Sequence, residues 1–302
     1  MRKIIGIGEI ILDIIFRNNQ PEKAVPGGST FNCIISLQRC NVPSIFISEL
    51  GNDRVGLLLQ NFMHENNLTT EYIDVYEEGY SPVSLAFLDE YQQADYQFYR
   101  AFPKKRLRKV FPEINEDDIL ILGSYYALNP ELRDTVFALI QYAKQKKAII
   151  YYDINFRKAH ASELNRLFPF IPENIAHSSI VRCSIEDLEN ILQGETIDNF
   201  YKNYFPECKN FIVTQAEKAT KLKTALFEKD YPVDIIKPVS TIGAGDNFNA
   251  GIIYGLMKNN ILSGDLTNLD EKKWDELIEY GHLFAKTACM SIENFVPKHF
   301  FL

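Results

Sequence analysis

The segment Ser240-Thr241-Ile242-Gly243-Ala244-Gly245-Asp246-Asn247-Phe248-Asn249-Ala250-Gly251 sets two glycines and an acid against what reads as the start of a helix. Glycines at 243 and 245 can take backbone angles closed to other residues and leave no Cβ in the way, so consecutive N–H groups can converge on an anion. The helix that follows turns its positive end toward the same spot. Asp246 falls in the first turn of that helix, where the dipole favours a carboxylate and where a base could take the proton of an attacking hydroxyl. The chemistry that suits this pattern is phosphoryl transfer. Taken as a bare tetrapeptide, Gly-Ala-Gly-Asp is equally compatible with an ordinary helix start.

Several other clusters stand at predicted strand ends. Gly6-x-Gly8-Glu9-x-x-x-Asp13 follows the first apolar run, and a carboxylate at Asp13 can accept hydrogen bonds from two hydroxyls or simply be a solvated turn acid. In Pro26-Gly27-Gly28-Ser29-Thr30-Phe31-Asn32 the glycines let backbone approach a polyol and Asn32 can donate and accept, while Ser29 or Thr30 can cap the next helix. Gly51-Asn52-Asp53-x-x-Gly56 reads as a turn with Asp53 as helix cap. Phe98-Tyr99-Arg100 offers a guanidinium to a hydroxyl or carboxylate, or merely covers a surface. Asp153-x-Asn155-x-Arg157 places an amide and a guanidinium beyond a strand, with an Asp153–Arg157 ion pair as the alternative. Ser184-Ile185-Glu186-Asp187 supplies oxygen ligands or a plain helix cap.

The run from Thr241 to Gly251 fits D-T-x-G-A-G-D-x-F-x-A-G at every position, with Ser240 where Asp is usual. It resembles the C-terminal signature of the ribokinase-like (PfkB) carbohydrate kinases, and the resemblance extends from residue 4 to about 295. It implies an α/β fold, three-layer α/β/α, with a mostly parallel central sheet and a small β-sheet lid. It also implies transfer of the γ-phosphoryl group of ATP to a sugar hydroxyl, with Asp246 as base and the Gly243, Ala244 and Gly245 amides stabilising charge. By the same resemblance Asp13, Gly27, Gly28 and Asn32 hold the sugar, and Arg100 and Arg157 contact substrate. Asn155, Ser184, Asp187, Thr214, Ala216, Lys218 and Asn294 fall to the nucleotide, with Asp187 reaching Mg2+ through water. A monovalent cation such as K+ and a homodimer through the lid complete the family picture.

Two departures are expected to matter. The family's N-x-x-E is Ser184 to Asp187, and V-T-x-G-x-x-G is Val213-Thr214-Gln215-Ala216-Glu217-Lys218-Ala219, with Ala for both glycines. Because Ala avoids positive φ, this loop is expected to adopt a different turn and to hold nucleotide less well. Phe98-Tyr99-Arg100 and the Ser184 variant point to the fructokinase-like branch. A 2-keto-3-deoxygluconate kinase, with Arg100 and Arg157 clamping its carboxylate, or another PfkB sugar kinase is the alternative. Ala216 and Ala219 motivate a reading of another class, a catalytically weak sugar- or nucleotide-sensing protein.

The elements that must position these residues follow from composition and pattern. The 302 residues are 46% hydrophobic and 24% charged, ordinary for a globular protein, and are read as one domain, 1–302, with a lid from about 10–25 and 70–100. A formal net charge of −8 argues against a general nucleic-acid or anionic-membrane binder. Cys33, Cys40, Cys183, Cys208 and Cys289 lack a C-x-x-C pair, which suits a reducing cytoplasm rather than a disulfide framework or zinc site. Ile4 to Phe16 is broken by Glu9 and Asp13 and reads as a buried strand rather than a signal sequence, and no run approaches the roughly 20 apolar residues that cross a bilayer. Strands are predicted at 4–7, 45–48, 119–122, 148–152, 179–181 and 211–213, and helices at 31–39, 55–65, 132–146, 185–192, 248–257 and 277–292. Thr70 to Arg100 breaks this alternation and reads as a β insertion, joined by Ile10 to Val25 with a turn at Asn18-Asn19-Gln20-Pro21.

Overall fold

Apolar, β-branched runs become buried strands and amphipathic stretches become helices in a computed structural model that describes residues 2–89, 94–108, 110–192, 194, 197–204, 209–298 and 300. The described chain forms two compact units, one from the ranges 3–112, 236–251 and 283–302, the other from 1–2, 113–235 and 252–282.

The unit that holds the N-terminal half runs β1 (Ile4–Ile7), β2 (Ile11–Arg17), β3 (Gln20–Gly27), α1 (Ser29–Arg39), β4 (Ser44–Gly51), α2 (Arg54–Glu65), β5 (Ile73–Tyr76), β6 (Tyr80–Leu88) and β7 (Ala94–Ala101). All four residues of β1 are buried, as a parallel strand covered on both faces requires. β4 pairs in parallel with β1 on one side and β5 on the other. A second sheet has the order β3-β2-β6-β7. Its β2–β3 hairpin turns at Asn18 and Asn19, with φ of 50° and 59°, the left-handed pair that a two-residue hairpin demands. Gln20 and Pro21, expected in that turn, belong to β3. The predicted insertion also overreached at one end, because Ile73–Tyr76 pairs with β4 and not with the small sheet. Residues 90–93 of that insertion lie outside the described residues.

Asp53 caps α2 as expected. Its Oδ1 accepts from the Gly56 amide at 2.7 Å, and its Oδ2 accepts from the Ser81 amide at 2.7 Å, so the cap also pins the start of β6. Burial works against this charge, yet the amides of Gly56, Ser81 and Val55 and the Ser81 hydroxyl hold the carboxyl below its ordinary value.

The other unit runs β8 (Ile119–Gly123), α3 (Ser124–Leu128), α4 (Arg133–Gln145), β9 (Ile149–Asp153), α5 (Leu164–Leu167), α6 (Phe170–His177), β10 (Ile180–Ser184), α7 (Ile185–Leu192), α8 (Ile197–Tyr204), β11 (Asn210–Thr214), β12 (Ala219–Thr224) and β13 (Glu228–Pro232). β8 to β11 are parallel neighbours in chain order, and β12 and β13 extend the sheet as an antiparallel hairpin that the sequence pattern did not reveal. Two long helices follow, α9 (Ala244–Lys258) and α10 (Glu271–Cys289). α10 begins ahead of the predicted Leu277 because Asp270 caps it, accepting from the Lys273 amide at 2.8 Å, and Trp274 is fully buried in its first turn. It stops at Cys289, short of Ile292.

Cys33, Cys40, Cys183 and Cys289 are free thiols, while Cys208 lies outside the described residues. Among the described residues no helix is long and apolar enough to cross a membrane.

One ion pair is almost wholly desolvated: Arg106 meets Glu49 with the two side chains 4% and 1% exposed, and the guanidinium lies 3.6 Å over the Phe102 ring. Burial pushes the Glu49 carboxyl up, and the Arg106 hydrogen bond and charge oppose it. Replacing Arg106 by Met leaves that carboxylate without its counter-charge, which costs about 3 kcal/mol of folding stability at neutral pH. In the variant the folded-state pKa of Glu49 rises further above its unfolded value, so the folded state binds more protons and the loss grows as pH climbs past about 4.3. Urea denaturation at pH 5 and pH 8 checks this, and an equal loss at both values contradicts it.

Candidate active site

The glycine-rich turn enters α9 through Gly243, whose φ is +78°, and a Cβ built there would lie 2.8 Å from the carbonyl oxygen of Asn294. Both conditions select glycine. Ala244 and Gly245 already lie in helical backbone, so the special conformation expected of two glycines is confined to Gly243. Asp246 occupies the first turn and is 5% exposed. The Nδ2 of Asn32 donates to its Oδ2 at 2.8 Å. Asn32 reaches it from α1, which Gly28 caps without any side-chain hydrogen bond, so neither Ser29 nor Thr30 plays the capping part open to them.

Asp13, on β2, is nearly as buried as Asp246. The Ser84 hydroxyl on β6 donates to its Oδ1, and the Nδ2 of Asn294 reaches its Oδ2 at 3.5 Å. Gly27 makes room for that arrangement, since a Cβ there would meet Asp13 Oδ2 at 2.0 Å. Arg100 on β7 forms a bidentate pair with Glu9 and lies 4.2 Å from the Phe98 ring centroid. One unit therefore gathers Asp13, Gly27, Gly28, Asn32, Arg100, Gly243, Ala244, Gly245, Asp246 and Asn294.

Four residues in this cluster were given no role from the sequence, although Glu9 and Asn247 stand inside quoted motifs. Ser36 donates from Oγ to Asn247 Oδ1 at 2.6 Å, and Asn247 Nδ2 donates to the carbonyls of Gly243 and Asn294, each at 2.8 Å. Ser84 and Glu9 hold Asp13 and Arg100. Asn247 stands at an unspecified position of the signature, next to Asp246, and Ser36 lies one turn after Asn32 on α1; these adjacencies were the available signals.

Asn155, Arg157, Ser184, Asp187, Thr214, Ala216 and Lys218 all belong to the other unit. The expected alternative partner of Asp153, Arg157, is exposed, and it is Arg182 on β10 that pairs with Asp153 at 3.1 Å and also donates to the Thr214 hydroxyl. Burial opposes the charge of Arg182, but Asp153 and Asp187 overcome it and raise its pKa. Asn155 is buried with φ of 39°. Ser184 and Asp187 form a reciprocal helix cap. The Ser184 amide and hydroxyl donate to Asp187 Oδ2 at 2.7 and 2.8 Å, and the Asp187 amide donates back to Ser184 Oγ at 3.1 Å. Lys218 is exposed. Ala216 overturns the expectation drawn from its side chain: it takes φ of +47°, in the left-handed region, and the turn closes with Gln215 N–H donating to Ala219 C=O at 2.8 Å. The turn needs a left-handed residue, which glycine favours and alanine supplies under strain.

Residues 1–293 match the family described as pfkB family carbohydrate kinase. The chain belongs to this family. Among the relatives of this pfkB kinase, a probable fructokinase-5 of Arabidopsis thaliana is 24% identical over 282 residues, covering 89% of this chain and 87% of the relative. A fructokinase of Rhizobium leguminosarum bv. trifolii is 26% identical over 281 residues, covering 89% and 84%. A double-mutant fructokinase from Vibrio cholerae O395, solved with fructose, ADP and a potassium ion, superposes with a TM-score of 0.84 at 19% identity, covering 97% of this chain and 94% of that one. The fold of this pfkB kinase is thus the α/β fold of the sugar kinases, with a mostly parallel sheet and a smaller one.

Relief of the strained turn is measurable. Ala216→Gly removes a left-handed alanine that costs about 1 kcal/mol, so the variant unfolds at higher denaturant concentration with an unchanged slope. An unchanged or lower midpoint contradicts the strain.

Proposed function

We propose that this sugar kinase is an ATP-dependent fructokinase, with Asp246 as the general base. The observation that carries the proposal is Asp246 itself: a buried carboxylate in the first turn of α9, directly after Gly243, oriented by Asn32. A base so placed takes the proton from a sugar hydroxyl as that oxygen attacks the γ-phosphorus, while the amides of Gly243, Ala244 and Gly245 face the developing negative charge. Asp13, with Gly27, Gly28 and Asn32, receives the sugar hydroxyls. The nucleotide falls to the other unit, to Asn155, Ser184, Thr214, Ala216 and Lys218.

The two fructokinase relatives and the fructose-bound Vibrio enzyme support fructose as the acceptor. Arg100 supports it too, since its fork engages Glu9 and a sugar acid would have to compete for it. The left-handed Ala216 removes the main motive for a non-catalytic sensor, because the turn survives the loss of glycine. The ADP and potassium of the Vibrio enzyme support an adenine nucleotide and a monovalent cation here.

Magnesium belongs to the same proposal. Among the described residues no three acidic or imidazole side chains form a metal cage, which fits an ion held mainly by phosphate oxygens and water. Asp187 would reach it through water, and the ion would neutralise phosphate charge. A dimer through the small sheet, supported by the exposed Tyr80 and Tyr99, and a reducing cytoplasm, supported by free thiols, complete the reading.

ADP release from MgATP is measured against D-fructose, 2-keto-3-deoxygluconate, ribose and glucose, with Asp246→Asn as control. Fructose is expected to give the highest kcat/KM, and the variant to lose about 10³-fold in kcat while still binding nucleotide. Preference for another sugar moves the substrate, and an undiminished variant removes Asp246 from the base position.

A further inference from the structure

Asn294 lies five residues beyond α10, in a segment whose backbone is pinned on both sides. The Glu293 amide donates to Ser291 Oγ at 3.0 Å, the Val296 amide donates to Ser36 Oγ at 3.2 Å, and Arg39 donates to the Val296 carbonyl at 2.8 Å while lying over the Phe295 ring. Asn294 itself is fully buried. Its Nδ2 points to Asp13 Oδ2 at 3.5 Å, its carbonyl accepts from Asn247 at 2.8 Å and walls Gly243, and its Oδ1 has no hydrogen-bond partner among the described residues. A buried, unpartnered amide oxygen is costly, so stability alone does not select this side chain.

We propose that Asn294 is a positioning residue on the sugar side, which orients the Asp13 carboxylate through Nδ2 and, through its own carbonyl and Asn247, ties Asp13 to the turn that presents Asp246. The family resemblance had given Asn294 to the nucleotide, but its contacts are with the proposed sugar ligand Asp13, with Asn247 and with the Gly243 turn ahead of the proposed base. The inference rests on the reading that Asp13 holds the sugar. Orientation matters because a carboxylate that accepts hydroxyls from a diol must hold both oxygens in one plane, and a free rotor would lose that geometry on each binding event. The amide is a suitable orienting group: it donates to the carboxylate without carrying a charge of its own.

The test uses Asn294→Leu and Asn294→Ser, assayed with ATP and with the sugar that gives turnover, beside Asp13→Asn. Loss of the amide donor raises sugar KM about tenfold in both variants and leaves ATP KM within about twofold, and Asn294→Leu melts no lower than the parent, since a buried unpartnered oxygen has been removed. If Asn294→Leu fails to fold, Asn294→Ser carries the same KM comparison. A rise in ATP KM with sugar KM unmoved returns Asn294 to the nucleotide and overturns the proposal, as does a fall in melting temperature with both KM values intact. Asp13→Asn separates the two layers of argument. If it leaves sugar KM unchanged, the assignment of Asp13 to the sugar fails; if it raises KM while the Asn294 variants behave like the parent, only the role of Asn294 fails.

Discussion

A buried carboxylate at the mouth of α9 must be held by donors that cannot come from water, and the geometry of one unit is arranged around this requirement. Asn32 donates to Asp246, and Ser36, four residues later on α1, donates to Asn247. Residues four apart stand one above the other on a helix face, so two consecutive residues of α9 are read by a single stripe of α1. That match fixes the rotation of both helices together. Asn247 then spends its two amide hydrogens on Gly243 and Asn294, which closes the turn ahead of α9 against the segment after α10. Asn32, Ser36, Asp246 and Asn247 are thereby paired with one another among the buried side chains of Phe31, Ile34, Ile35 and Phe248, where an unmade hydrogen bond costs most.

The parallel strands of the other unit solve a similar problem by a different device. Arg182 sits opposite Asp153 in the register of β10 and β9, and its guanidinium also takes the Thr214 hydroxyl from β11. Three adjacent strand ends are laced at the edge where parallel sheets carry their ligands. Such a pair adds little net stability over an apolar replacement of the same volume, but it fixes where each strand end lies. The Ser184–Asp187 cap works at the same edge and starts α7 directly from β10.

The fold was legible where burial is two-sided. Ile4–Ile7, Ile119–Gly123 and Phe211–Val213 are nearly pure apolar runs, and no other element buries such a sequence as economically. The strands Ala219–Thr224 and Glu228–Pro232 were not legible because an antiparallel edge hairpin alternates with lysine and acid and looks like loop. Ile73–Tyr76 fell within the predicted β insertion, but its pairing with β4 was not legible, since partner choice is a non-local property. Asn32 and Asp246 could be named because each stands at a specified position of a motif, although 214 residues separate them, whereas Asn247 stands at an unspecified position and Ser36 and Ser84 stand outside the motifs. Ala216 failed for a different reason: intrinsic preference is worth about 1 kcal/mol, and closure of the β11–β12 hairpin exceeds it.

The carboxylates themselves divide by the kind of donor they meet. Glu49, Asp74, Glu9 and Asp153 face guanidinium groups, which supply a full counter-charge. Asp246 receives an amide hydrogen bond from Asn32, and Asp13 receives a hydroxyl from Ser84 and an amide from Asn294. A neutral donor fixes direction but withdraws less basicity than a full positive charge at the same distance. On the proposed reading of Asp246 as base, an amide donor gives direction where an arginine clamp would cost basicity. Asn32 and Asn294 each donate to one oxygen of a carboxylate, and on the proposed reading the charge stays in place to meet a sugar hydroxyl.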